Sequence, residues 1–270
     1  MNNFKKIGII YKPDAENVLT ICEKIKKIFS SKHFVTIVAE INNPTKDIDM
    51  AIIVGGDGTI LRAARFYAPL NIPIFGINLG RLGFLAQVKI AELEAGLEKF
   101  VKGDFRIDER LMLSLNENET IALNDIVVKS SNNSKTVEFM VYLNNKPVCN
   151  YLADGIIIST PTGSTAYTLS AGGPVVEPSL EALVLVPICP HTLNARPLVI
   201  PANEKIEIRS KNDNENFSVF VDGQINICAK ETVVIGKADA KAKIILLGKD
   251  DDGFYKVLRE KLNWAIDPRA

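Results

Sequence analysis

The sequence has no excess of charge of either sign. Lys plus Arg and Asp plus Glu both number 32, whereas a chain devoted to nucleic acid normally carries a basic excess or a basic patch. Four cysteines, Cys22, Cys149, Cys189 and Cys228, form no C-x-x-C pair. That pattern reads as reduced thiols in a cytosolic protein, not as a disulfide framework. Histidine is scarce: with only His33 and His191, a zinc site would lack ligands at usable spacing. The N-terminal MNNFKKIGIIYK has no apolar core of export-signal length. The longest apolar stretch, ALVLVPIC, is broken by Pro187 and is too short to span a membrane. A soluble cytoplasmic protein with neither nucleic-acid nor membrane partners is expected. Two common phosphate signatures are missing as well. There is no G-x-x-x-x-G-K-[ST], and no G-x-G-x-x-G follows a strand.

What is present divides the chain in two. Over the first hundred residues, compact β-branched runs (KIGIIY, FVTIV, MAIIV, IPIFGIN) alternate with helical periodicity (AENVLTICEKIKKIFSS, TILRAARFYA, AELEAGLEKFVKG). In the first helix Val18, Leu19, Ile21, Cys22, Ile25 and Ile28 are expected to share one face. Strand–helix alternation with continuously apolar strands predicts a parallel sheet covered on both faces. From about Asp104 short runs rich in β-branched residues follow one another between Asn, Asp, Gly and Pro turns, with only STAYTLSAGG helix-like. The expectation is an α/β domain over 1–103 and an all-β sandwich or barrel over 104–247. The tail 248–270 returns to helical spacing and is expected to pack on the first domain.

Three stretches carry chemistry. The first is Gly55-Gly56-Asp57-Gly58, set between the strand MAIIV and a helix expected to start near Thr59. Glycines there permit positive φ and close backbone approach, and a helix N-terminus attracts anions. A plain reading makes Asp57 a helix cap, but a cap needs at most one glycine and this loop has three. Arg62 lies one turn into the helix, in reach of a phosphate or merely solvated. The second stretch is Asn124-Asp125, which taken alone is ordinary turn chemistry. The third, DGIIISTPTGSTAYTLSAGGP from Asp154 to Pro174, packs hydroxyls and glycines into a short helix. A hydroxyl N-cap (Ser164 or Thr165) explains one or two of these residues and leaves Tyr167 and Ser170 unassigned. A pocket for a sugar and a base explains more of them. His191, between prolines, reads as a structural loop residue, and VDGQ (Asp222–Gln224 at its end) by itself resembles a hairpin turn.

Taken together, GGDGTILRAAR, FGINLGRLGFL, LNDIVV, DGIIISTPTGSTAYTLSAGGP, PICPHTLNARPLVIP and VDGQ resemble the bacterial-type NAD kinases, in that order along the chain. GGDG alone is shared with diacylglycerol- and sphingosine-type lipid kinases and with phosphofructokinases; the other blocks are more specific. The resemblance implies the two-domain fold of NAD kinases and diacylglycerol kinases, and Mg²⁺-dependent phosphoryl transfer from ATP to the 2′-hydroxyl of the adenosine ribose of NAD. It implies that Asp57 accepts the proton and that Gly55, Gly56, Gly58, Thr59 and Arg62 form the loop around substrate phosphates and dinucleotide. Phe84 would make an apolar contact to the adenine region. Asn124 and Asp125 would hold a ribose, and Asp154 would lie near the nicotinamide end. Thr165, Ala166, Tyr167, Thr168, Leu169 and Ser170 would surround the dinucleotide, and Gln224 would add a polar contact. Lys135 keeps a positive charge often found in the family, while Leu152 does not. No protein metal ligands are implied, since Mg²⁺ would arrive on ATP. A homodimer or homotetramer is the assembly the family suggests.

A carboxylate cannot ionise a ribose hydroxyl in advance. In a loose phosphoryl-transfer transition state it need only orient the hydroxyl and take the proton late, which is worth about 10²–10⁴-fold. A lipid kinase is the alternative, predicting an apolar acceptor channel where Asn124, Asp125, Asp154 and Tyr167 suggest a polar one. A non-catalytic nucleotide sensor would have no use for Asp57.

Overall fold

The computed structural model describes residues 4–80, 83–86, 88–131, 137–211, 216–230, 232–248 and 253–262. The chain begins with β1 (Lys6–Tyr11), α1 (Val18–Ser30), β2 (Val35–Glu40), β3 (Met50–Val54) and α2 (Asp57–Tyr67). β4 (Ile74–Asn78), β5 (Val88–Lys89), α3 (Leu93–Val101) and β6 (Phe105–Arg110) follow. Next come β7 (Leu113–Leu115), β8 (Thr120–Ala122), β9 (Asp125–Ser130), β10 (Val137–Leu143), β11 (Lys146–Ala153) and β12 (Gly155–Ser159). After α4 (Tyr167–Ser170) lie β13 (Ala182–Ile188), β14 (Leu198–Pro201), β15 (Ile206–Ser210), β16 (Asn216–Val221), β17 (Ile225–Lys230) and β18 (Thr232–Lys237). β19 (Ala242–Leu247) and α5 (Gly253–Leu262) close the described chain. Two compact units result: one holds the chain up to Glu109 and from Ala242 onward, the other runs from Arg110 to Lys241.

The first unit is built on a sheet in the order β2-β1-β3-β4-β19-β6, with β5 also beside β4. β1 pairs in parallel with β2 and β3, β3 with β4, and β4 with β19. β3 and β4 are buried along their whole length, as parallel strands covered on both faces must be. α1 buries Val18, Ile21, Cys22, Ile25 and Phe29 against the sheet. Leu19, expected on that face, is 59% exposed. One residue on from Val18 is a rotation of about 100°, which carries Leu19 out of the stripe; Phe29 fills the last turn, and Ile28 is only partly buried.

The expected boundaries at 104 and 247 are corrected here. β6 and β19 pair within the first unit's sheet, so that unit reclaims both the segment after Asp104 and the strand AKIILL. The apolar run of β19 is what an inner parallel strand requires, but its composition matches the antiparallel strands before it, which hides the change of sheet.

The second unit contains two six-stranded sheets, in the orders β11-β10-β15-β18-β7-β8 and β14-β13-β12-β9-β16-β17. All their recorded strand pairings are antiparallel. Alternate residues from both sheets meet in one apolar core that includes Phe139, Val141, Ile208 and Val233 from the first and Ile126, Val128, Ile156 and Phe217 from the second. The second sheet is also buried on its other face. There Val127, Ile157, Val184 and Val186 pack with Val176 and Ala171, from the segment that follows α4. That second cluster anchors the hydroxyl-rich stretch on the sheet. No helix among the described residues is long and apolar enough to cross a membrane.

Candidate active site

Parallel pairing of β3 with β4 puts Val54 beside Ile77, so the loops leaving their carboxyl ends lie together, where open parallel sheets bind ligands. The helix begins at Asp57, two residues earlier than its periodicity suggests. Gly56 is the N-cap residue, with φ −88° and ψ −178° and no side-chain cap bond. The loop glycines are not there for positive φ: Gly55, Gly56 and Gly58 all lie outside the left-handed region. Space explains Gly55, where a Cβ would fall 2.4 Å from Thr59 Oγ1. Thr59 is buried beneath the loop. Gly56 is exposed, and nothing beyond its chain neighbours lies within 4 Å of where its Cβ would be; glycine is among the usual N-cap residues.

Asp57 does not cap its own helix. Its Oδ2 accepts the Phe84 N–H at 3.0 Å. Its Oδ1 is buried and has no hydrogen-bond partner, a state that typically costs about 1–3 kcal/mol or more for a polar group. Gly83 makes this geometry possible, since a Cβ there would lie 1.8 Å from Oδ1 and 2.1 Å from Oδ2 and Cγ. Phe84 is half-buried and Arg62 is exposed one turn into α2.

In the second unit the bend between β8 and β9 is held by a carboxylate from the β16–β17 turn. Asp222 Oδ1 accepts the Asn124 N–H at 2.7 Å and the Asp125 N–H at 3.3 Å, and Oδ2 accepts the Leu123 N–H at 3.2 Å. The Asp222 N–H donates to Asp125 O at 2.9 Å. Asp125 is buried, and that burial, reinforced by the negative charge of Asp222, pushes its carboxyl up to about 7. Loss of hydration disfavours the charged form, and a like charge nearby adds to the effect.

The hydroxyl-rich stretch splits into an inner and an outer set. Ser159, Thr160, Thr162 and Ser164 are buried and bind the fold together. Thr160 Oγ1 donates to Leu123 O at 2.6 Å and accepts the Gly163 N–H at 3.0 Å. Ser164 Oγ donates to Pro161 O at 2.6 Å and accepts the Val176 N–H at 3.0 Å, tying the stretch to itself across twelve residues. Thr162 Oγ1 accepts from Arg110 Nη1 at 3.3 Å. Gly163 has no room for a side chain: a Cβ would lie 2.1 Å from Asn124 O. The outer set comprises half-buried Thr165, Ala166 and Leu169 with exposed Tyr167 and Ser170. Tyr167 is 40% exposed, with Lys129 Nζ 5.9 Å from its ring centre. Thr168 turns inward; it is fully buried and its hydroxyl has no partner.

Asp154 is exposed, and His191 Nε2 stands 4.0 Å from its Oδ1, beyond hydrogen-bond length but close enough for electrostatic attraction when the ring is protonated. Gln224 is exposed at the end of the β16–β17 turn. Lys135 lies outside the described residues.

Models of the ATP-NAD kinase N-terminal and C-terminal domains match residues 36–105 and 123–247. The chain belongs to the NAD kinase family. It is 38% identical to an NAD kinase of Heliobacterium modesticaldum, over 95% of this chain and 98% of that one. It is 37% identical to one of Pseudomonas entomophila, over 98% and 97%. The crystal structure of an NAD kinase from Archaeoglobus fulgidus in complex with ATP superposes with a TM-score of 0.78 at 31% identity, covering 94% of this chain and 97% of that one. A yeast NADH kinase shares the fold, with a TM-score of 0.82 at 24% identity. The NAD kinase reading of the sequence is therefore shown, as is the two-domain plan of an α/β unit followed by an antiparallel β unit. The activity is ATP-dependent phosphorylation of NAD.

Two residues of this NAD kinase that touch the candidate site, Gly83 and Asp222, carry no signal of that contact in the sequence. Gly83 sits in RLGFL, of which only Phe84 had drawn notice. Asp222 sits in VDGQ, taken for a turn with Gln224 as its one useful residue. No spacing rule links Asp222 to Asn124 across 98 residues; only the sheet order brings them together.

Proposed function

We propose that Asp57 of this NAD kinase orients the 2′-hydroxyl of the adenosine ribose of NAD and accepts its proton as the γ-phosphoryl group of ATP is transferred. The observation that carries the reading is the asymmetry of one carboxylate. Oδ2 is anchored by the Phe84 N–H, while buried Oδ1 lacks a partner. A bound hydroxyl would satisfy it, at the distance general-base help requires. A loose transition state asks for an oriented nucleophile more than a strong base. An anchored carboxylate provides that orientation.

Gly55, Gly56 and Gly58, with the N–H groups that open α2, are the proposed phosphate-receiving surface; Thr59 supports it from below and Arg62 is available to phosphate. Openness at Gly56 supports this, since a ligand can come close to the backbone there. ATP as donor agrees with the ATP complex of the Archaeoglobus relative. Asn124, Asp125, Asp154, Thr165, Ala166, Tyr167, Leu169, Ser170 and Gln224 are proposed to bind the dinucleotide, with Phe84 against its adenine. Thr168, being buried, would serve by holding its segment. Among the described residues no group of three or more His, Cys, Asp or Glu could hold a metal. Mg²⁺ would arrive with ATP, held mainly by phosphate oxygens and water, and the chemistry it would supply is neutralisation of phosphate charge.

Asp57→Asn keeps the size of the side chain and removes the proton acceptor. It is expected to lower kcat by about 10²-fold or more while KM for ATP and NAD changes little. Retention of more than about a tenth of wild-type turnover sinks the assignment. We further propose a cytoplasmic homodimer or homotetramer. Edge strand β14, with Val199 exposed on it, is the kind of unpaired edge that self-association covers. A monomer in sedimentation at micromolar concentration counts against it.

A further inference from the structure

We propose that Asp222 is a positioning residue for dinucleotide binding, whose carboxylate fixes the backbone of Leu123–Asp125 in the shape that presents Asn124 and Asp125 to NAD. The proposal rests on the reading of Asn124 and Asp125 as dinucleotide-binding residues.

Asp222 and Gly223 open the short loop between β16 and β17, with φ 49° and 63°, and the Gln224 N–H closes the turn on Val221 O at 3.0 Å. An Asp-Gly or Asn-Gly pair is what positive φ at two successive turn residues favours, so the backbone conformation alone accounts for a small polar residue here. It does not account for what the side chain does. Hairpin-turn side chains ordinarily face water, whereas Asp222 is 7% exposed. Both its oxygens are spent on three consecutive amides of another connection. Its own N–H returns to Asp125 O, so four hydrogen bonds fasten the two segments. The same bend is gripped from its other side: Asn124 O accepts from the Thr160 N–H at 2.9 Å and from Ser159 Oγ at 3.2 Å. Gly163 closes against that carbonyl.

A carboxylate in this place is electrostatically unfavourable for the fold, because it brings a second negative charge to buried Asp125 and like charges in a dry site oppose one another. An asparagine would make the turn without that repulsion, but its amide nitrogen cannot accept the Leu123 N–H. The carboxylate is the side chain that can accept from all three amides at once. What it secures is a rigid bend, with no ligand needed to form it.

In steady-state kinetics Asp222→Asn is expected to raise KM for NAD about tenfold, the loss of one charge-assisted N–H bond, leaving KM for ATP unchanged and kcat within about threefold. In a double-mutant cycle the NAD effects of Asp222→Asn and Asn124→Ala are expected to be less than additive, since the first acts through the second. An unchanged KM for NAD in Asp222→Asn, or strict additivity, overturns the proposal. So does a uniform fall of kcat and both substrates' binding in step with the melting temperature, which would make Asp222 only a stabilising residue. If Asn124→Ala and Asp125→Ala leave KM for NAD unchanged, the underlying site reading fails instead. Should Asp222→Asn not fold, hydrogen exchange on the wild type decides. The amides of Leu123, Asn124 and Asp125 are expected to be protected before NAD is added; free exchange that becomes slow only with NAD overturns a preformed bend.

Discussion

A Cβ on Gly83 would lie 1.8 Å from Asp57 Oδ1, so Gly83→Ala must move either the Gly83–Phe84 backbone or the carboxylate it supports. Either movement breaks the Phe84 N–H bond to Oδ2. The expected outcome is a loss of about 10²-fold in kcat with a melting temperature within a few degrees of wild type; full activity would show that Asp57 needs no anchor. Asp125 gives a prediction in stability. Its folded-state pKa is raised to about 7, so between about pH 4 and 7 the folded chain holds a proton that the unfolded chain has released. That contribution is complete at the acid end and disappears as pH rises, at no more than about 1.4 kcal/mol per pH unit. Asp125→Asn should remove this part of the slope in urea titrations run from pH 5 to 8. An identical slope in the variant would place the titration elsewhere. From sequence, Asp57 was legible because three glycines crowd it. Gly83 and Asp222 were not, because the reason for each is an atom brought near only by the fold.

At the scale of elements, periodicity found β1, α1, β3, α2 and β4, which bury long stripes or whole strands. It missed those whose pattern is set by neighbours. β6 (FRIDER) is half-exposed and polar, without the apolar alternation that marks a strand. The STAYTLSAGG helix proves to be a single turn at Tyr167–Ser170, following a 3-10 turn at Thr162–Thr165. Hydroxyls that suggested a pocket lining are in part internal fasteners, a division that depends on which way each side chain faces. β19 carries a prediction of its own. Ile244 pairs with Ile74 of β4, and β6 reaches the sheet only through β19. Proline at 244 removes a ladder donor from an inner strand, a place in a sheet where proline is not tolerated. Limited proteolysis of Ile244→Pro should cut within 1–109 while a fragment close to 110–241 survives; equal resistance in both units would argue against a central place for β19.

For the whole molecule, the α/β-then-β plan could be read from the switch in apolar period near residue 104, and the family from the order of six blocks. The exact seams could not, because a strand records its composition and not its sheet. Those seams carry a consequence for biosynthesis. The first unit is interrupted: a ribosome delivers β1 to β6 long before β19, which must enter between β4 and β6. Domains usually close in order of emergence, N-terminal first. Here the later-made unit, continuous from Arg110 to Lys241, can close first, while the earlier one waits with an unfilled slot in its sheet. An unpaired strand edge held open for that interval is where a nascent chain is exposed to mispairing. The sheet that bears Asp57 is thus completed only when the last strand leaves the exit tunnel.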